Sequence, residues 1–368
     1  MRSDYNFFSE TRRGVSRFSI SFAASALVLA SAINSGCGGG GAAASLVSPT
    51  RAYLGTQAPG DVWSWSFDNA TFTAANQTLS HNYTGTSADL PSGFKKLTIS
   101  TSDDTNVPAG SAAYAIEVAG TALIIKPAAV GSAPIIACGL GSNAADGAQL
   151  HYNWVTVPRP NWTDNVCYGT VDFLVSGTRY DGTIKSYLSD GTLDKTRSDH
   201  FVNNGGVLTT PPNGTGALTP SGTFMLDFGP NNGGVIGVEQ STTPIDVADF
   251  CLAGREFRGI LMRPVDPLNP TNPHNGAQCI FGIGGGTNTL NGGSFTDVEA
   301  GTKDDVANGV RITIQSQPSP GLLQGNLTEL HDNSNHPIFF AINKVNGKYE
   351  IFGLGTDSGG YNISLIEK

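Results

Sequence analysis

The chain is 368 residues long, with 47 Gly, 20 Pro, 14% charged residues and a net charge of −9. That is room for one large or two ordinary domains, and enough chain to bury a core without relying on disulfides. Glycine near twice its usual share of about 7%, with abundant Ser, Thr and Asn, excludes a coiled coil or helical bundle and suits short strands joined by tight turns.

Residues 1–17 carry four Arg, and Phe18–Ile33 is a run of apolar or small residues, shorter than the roughly 20 that a spanning helix needs. A basic segment, a short apolar segment and small residues after it read as a secretory signal over 1–36. Ser35-Gly36-Cys37 follows, then Gly38–Gly41. This stretch resembles the lipobox of bacterial lipoproteins, with Asn34 where an aliphatic residue is usual. The resemblance implies cleavage before Cys37 and acylation of that residue. It also implies the outer membrane, because Gly38 stands where Asp marks lipoproteins retained at the inner membrane. Two or three acyl chains anchor stably where one does not. Residues 37–51 then comprise the lipidated Cys and a flexible tether of roughly 20 Å. Without residues 1–36 the charge is −11, and no Lys/Arg cluster stands against it. Such a surface repels phosphate backbones, so no nucleic-acid partner is expected.

From residue 52 onward the hydrophobic period is two. Trp63-Ser-Trp65-Ser-Phe67, Tyr114–Val118, Val310–Ile314, Ile338–Ile342 and Tyr361–Leu365 alternate, and Asp-Gly or Asn-Gly pairs separate such runs. Asn346-Gly347 marks the clearest hairpin. The pattern predicts an all-β fold of two antiparallel β domains, each a sandwich or barrel. The N-terminal domain covers 52–240. A linker over 241–256 contains one helical turn, Pro244–Leu252, placed to cover a barrel end. Residues 257–368 form a small up-and-down barrel. No internal repeat is evident. Phe295–Thr302 (FTDVEAGT) and Asn362–Lys368 (NISLIEK) resemble segments of the Gly- and Thr-rich β lipoproteins of environmental proteobacteria, a resemblance that implies no activity.

Besides Cys37 there are Cys138, Cys167, Cys251 and Cys279. Four cysteines allow three pairings. An oxidising compartment favours the local one, Cys138–Cys167 and Cys251–Cys279, one bridge in each half. No Cys has metal-ligand spacing to another Cys or a His.

Candidate chemistry is sparse. Asp357-Ser358-Gly359-Gly360 resembles the serine neighbourhood of chymotrypsin-like proteases but lacks the histidine context such a triad needs, and it suits a turn. Asp297 and Glu299, two apart at a strand end, have a spacing compatible with a glycosidase acid/base pair. His331-Asp332-Asn333-Ser334-Asn335-His336 reads as a solvated turn, with two His and an Asp that could meet a metal. Gly282–Gly286 has phosphate-loop glycines without the following Lys-Ser/Thr. The aromatic stripe Trp63, Trp65 and Phe67 fits a core, or a sugar-stacking platform if exposed. Tyr152, Trp154 and Trp162, in or beside a loop, are better placed for ligand stacking. No cofactor, metal or catalytic set is expected. The reading is a non-catalytic envelope lipoprotein with a binding or structural role toward polysaccharide or protein. The alternatives are a glycan-processing hydrolase and a lipocalin-like carrier in 257–368.

Overall fold

The fold is all-β, and its strands close into three barrels instead of the two domains expected. The computed structural model describes residues 51–57, 60–127, 132–157, 168–188, 190–211, 214–219, 222–228, 234–263, 276–304, 309–355 and 362–368. The signal segment, Cys37, the tether up to residue 50, Trp162, Cys167 and Asp357–Gly360 lie outside them. Residues 48–368 form one compact unit.

The first barrel comprises β1 (Arg51–Gln57), β2 (Asp61–Asp68), β3 (Thr71–Asn76), β4 (His81–Asp89), β5 (Lys95–Ser102), β6 (Ala112–Val118), β7 (Ala122–Pro127) and β8 (Ile135–Gly139). Each strand pairs antiparallel with the next, and β8 returns to β1 with Ala137 opposite Gly55. The second comprises β9 (Gln149–Val157), β10 (Tyr168–Ser176), β11 (Arg179–Tyr187), β12 (Leu193–Asn204), β13 (Val207–Thr210), β14 (Gly214–Leu218), β15 (Thr223–Asp227) and β16 (Gly234–Glu239). It closes with Gly237 opposite Trp154. The single domain expected over 52–240 is therefore two barrels. The connection near residues 140–148 reads in sequence like any other turn.

After α1 (Val247–Phe250) comes the third barrel, β17 (Glu256–Arg263), β18 (Gly276–Gly286), β19 (Thr289–Asp297), β20 (Thr302–Lys303), β21 (Val310–Ser319), β22 (Leu322–Glu329), β23 (Asn335–Val345), β24 (Lys348–Gly355) and β25 (Asn362–Glu367). This is the expected up-and-down barrel, with β20 appended to β19 and closure of β25 on β17. The Asn346-Gly347 hairpin has φ of 50° and 81°, the doubly left-handed turn that Asn-Gly favours. Asp246 caps α1 by accepting from the Ala248 and Asp249 N–H groups. Phe250 packs edge-on against Phe257 and Tyr349, so the helical turn plugs one end of this barrel.

Each barrel fills its interior with side chains from alternate strand positions: Phe67 and Phe72 in the first, Phe173 and Phe201 in the second, Phe340 and Ile351 in the third. A fourth apolar cluster lies between barrels and draws on the opposite faces of the same strands. On β24, Ile351 points into its barrel while Phe352 and Leu354 point into the shared core. On β7, Leu123 and Ile125 point in, and Ala122 and Ile124 point out. Strands buried on both faces explain why Ala122–Ile125 and Ile135–Cys138 read as continuous apolar runs.

The contacts between barrels follow a cycle. The seam strands β1 and β8 pack on β14 and β15; β9 and β16 pack on β23 and β24; β17, β18 and β25 pack on β6 and β7. In every case the closing seam of one barrel meets the sixth and seventh strands of the next, and the third barrel returns to the first. Head-to-tail contacts of this kind close into a ring. The turn between the fourth and fifth strands repeats the same relation. Gly93, Gly206 and Gly321 occupy it, all with positive φ. Gly93 lies against Arg258 of β17, Gly206 against the Gly141 backbone after β8, and Gly321 against Asn153 of β9. A hydrogen bond seals each contact: Arg258 Nε to Ser92 O (2.5 Å), Gly205 N to Asn143 Oδ1 (3.1 Å), and Asn153 Nδ2 to Pro320 O (2.8 Å).

The expected disulfides are corrected. Cys138, Cys251 and Cys279 are buried free thiols. Alternation along β18 turns Cys279 outward into the shared core, whereas Cys251 ends α1 inside the third barrel, so the barrel wall stands between them. Cys138 donates to Thr223 O across the first–second barrel contact (2.9 Å).

Candidate functional site

Among the described residues, the end of the third barrel opposite α1 carries a cavity. Inward positions of β17, β18, β21 and β22 reach this end with Leu261, Ile280, Val310 and Glu329, enclosing with their neighbours a cavity of about 290 Å³. Its floor is apolar, continuous with the barrel interior. Its rim is polar: Gln278, Ser294, Asp304, Glu329 and His331. Ser294 Oγ donates to Gln278 Oε1 (3.1 Å), and Asp304 N donates to Ser294 O (2.9 Å), which ties the rim of β18 and β19 to the chain after β20. An apolar floor with a few convergent polar groups is the usual build of a small-ligand site.

Glu329 continues the inward row of Leu323, Gly325 and Leu327, so the period that fills the barrel also aims a carboxylate into its mouth. It is only 5% exposed. The turn after it is fixed by its own hydrogen bonds: Glu329 N donates to Ser334 O, Asn333 N to Glu329 O, and Ser334 N to Asp332 Oδ1, all at 2.8–2.9 Å. Asn333 takes the left-handed conformation, φ 59°. The bonds from Ser334 hold the Asp332 carboxyl below the usual carboxylate range. Sequence reading caught His331, Asp332 and His336 but missed Glu329, Asp304, Gln278 and Ser294. The available signal was the Leu323-x-Gly-x-Leu327-x-Glu329 alternation.

The other expected sites have structural roles. Trp65 lies inside the first barrel, and Trp63 stacks between Trp65 and Tyr83 at its end, its indole donating to Gln57 Oε1 (3.1 Å). Tyr152 and Trp154 are not loop residues. They belong to β9 and point into the second barrel, 0% and 6% exposed, which removes them as an exposed stacking platform. Asp297 Oδ1 accepts from Glu299 N and Ala300 N, both 2.9 Å, bending the end of β19 into a turn. Glu299 accepts from Lys96 Nζ (2.7 Å) and Tyr114 OH (3.0 Å) of the first barrel, and these bonds lower its pKa. Both carboxylates are thus engaged in holding a turn and a barrel–barrel contact. Gly284 lets β18 approach the Leu252 carbonyl, a strand-end packing role. The interior of the third barrel is packed with side chains in place of the open apolar cavity a lipocalin-like carrier needs.

A second polar cluster lies where the barrels converge. Thr223 Oγ1 donates to Thr121 O, Thr219 Oγ1 donates to Gly139 O, and Tyr152 OH donates to Thr219 O (3.0 Å). Glu350 of β24 faces this cluster, completely buried. Burial pushes its carboxyl up to about 7, a rise tempered by the Thr121 hydroxyl, and neither carboxyl oxygen makes a well-formed hydrogen bond. No helix among the described residues is long and apolar enough to cross a membrane. No protein-family model, curated protein or solved structure matches the chain.

Proposed function

We propose that this protein is a non-catalytic lipoprotein of the bacterial cell envelope, held at the outer membrane by acyl chains on Cys37, and that it binds an envelope polysaccharide at the mouth of the third barrel. The signal and lipobox-like segment support the address. The observation that carries the binding role is the contrast between the two ends of that barrel, one plugged by α1 and one holding, among the described residues, a cavity over a floor of Leu261, Ile280 and Val310. Amide, hydroxyl and carboxylate groups around an apolar floor suit a sugar, which offers hydroxyls at its edge and C–H groups on its face. The strongly acidic surface, −11 without residues 1–36, is consistent with an uncharged or cationic ligand.

The test is retention of envelope polysaccharide fragments by the full-length protein, extracted from its own membranes, with its intact mass measured alongside. The expected outcome is a triacylated Cys37 and retention weakened at least tenfold by Gln278→Ala with Asp304→Asn. An unacylated chain removes the anchor. Retention indifferent to both substitutions removes the mouth as the binding seat.

A further inference from the structure

Where β22 ends, the chain reverses over residues 330–334 and brings His and carboxylate donors to one side of the mouth. One ligand atom each of Glu329, His331 and Asp332 lies within 4.8 Å of the others. His331 Nδ1 stands 3.4 Å from Glu329 Oε2, and His336 Nε2 stands 3.9 Å from Glu329 Oε1. The second nitrogen of His331 is 3.4 Å from Asp332 Oδ2. Donors around a tetrahedral Zn²⁺, with bonds of about 2.0–2.1 Å, lie about 3.4 Å apart, so the Glu329–His331 spacing already matches.

We infer that the mouth of the third barrel binds a divalent transition cation of the Zn²⁺ type, on Glu329, His331 and Asp332. Mixed imidazole and carboxylate donors select such an ion over Ca²⁺ or Mg²⁺, which take oxygen ligands. Three protein ligands leave a coordination position toward the cavity, where a ligand's hydroxyl or carboxylate would complete the shell. The inference rests on the mouth being a binding seat, and the two readings fail separately.

The experiment is calorimetric titration of the full-length protein with ZnCl₂ alone and with CaCl₂ alone, beside Glu329→Gln, His331→Ala and the control His151→Ala. His151 belongs to an exposed His–Asp pair on the second barrel (2.7 Å to Asp172). The expected result is one Zn²⁺ per chain, weakened at least tenfold by Glu329→Gln and by His331→Ala and unchanged by His151→Ala, with no comparable Ca²⁺ binding. His331 is half-exposed, so its removal leaves the fold standing, and a near-UV circular dichroism spectrum checks this. Absence of zinc binding, zinc binding indifferent to both mouth substitutions, or Ca²⁺ binding as tight as Zn²⁺ would each overturn the inference. Zinc held while no saccharide is retained sinks the polysaccharide reading and leaves the cation site. Saccharide retained without zinc does the reverse.

Discussion

The barrel interiors and the core between them differ in kind. Inside each barrel the polar atoms sit at the ends and find partners. Tyr53 OH donates to Glu117, Tyr83 OH to Asp104, Tyr349 OH to Asp249, and Tyr180 OH accepts from Ala144 N. The indole N–H groups of Trp65 and Trp154 and the Asn203 Nδ2 of the second barrel are exceptions. In the shared core, by contrast, Glu350 keeps both oxygens without a well-formed bond, and Asn153 Oδ1, Asn362 Nδ2 and Ser364 Oγ are unpartnered as well. A buried polar group without a partner costs free energy. The difference separates two tasks: the interiors make each barrel, and the outward faces, with their less satisfied polar groups, fix which barrel meets which.

Three substitutions sharpen or break this contrast. The largest effect is expected inside a barrel. Phe173 touches Tyr152, Tyr180, Phe201 and Phe224, so Phe173→Ala should cost about 3–5 kcal/mol in denaturant unfolding. A loss below 1 kcal/mol would mean that the interior is not what holds the second barrel. Next is Glu350→Gln. The native carboxyl, raised to about 7, keeps a proton that the unfolded chain releases near 4.5, so stability falls as pH climbs between those values and levels off above. The wild type should be less stable at pH 8 than at pH 5 by an amount on the order of 3 kcal/mol, and the Gln variant should flatten that slope. An unchanged slope would place the charge outside the shared core. The smallest effect is expected at the ring contact. Gly206 has φ 91°, and a Cβ there would lie 2.5 Å from the Gly141 carbonyl oxygen. Gly206→Ala should cost about 1–3 kcal/mol and widen the contact of the first and second barrels, read as faster hydrogen exchange in β8 and β13. Exchange accelerated evenly over all three barrels would argue against separable contacts.

Much of the third barrel was legible. Its up-and-down strand order, its Asn-Gly hairpin and the helical turn covering one end each follow from a local rule about period, turn chemistry or capping. The ring was not, because its evidence is dispersed. Phe94, Val207 and Leu322 each follow a positive-φ glycine and pack on the shared core, yet Ser-Gly-Phe, Gly-Gly-Val and Pro-Gly-Leu do not look alike as text. The disulfide expectation failed because chain interval says nothing about which face of a strand a cysteine occupies, and Cys279 and Cys251 fall on opposite sides of one wall. Half of the mouth was visible as the polar turn at His331. The other half depended on knowing that Glu329 ends an inward row.

The ring has a consequence for the order of assembly. Synthesis delivers the first barrel long before the third, yet Ala122 and Ile124 of β7 are covered by β17 and β18, from the far end of the chain. Until those strands arrive, an early-folding first barrel carries a bare apolar stripe beside the second. Loop-closure entropy makes the final docking late and slow, and the waiting surface is prone to stick to other chains. The strands of the third barrel, made well after the first barrel, are therefore the ones that end this exposure, and a nascent chain of this kind would gain from a holdase until they are out.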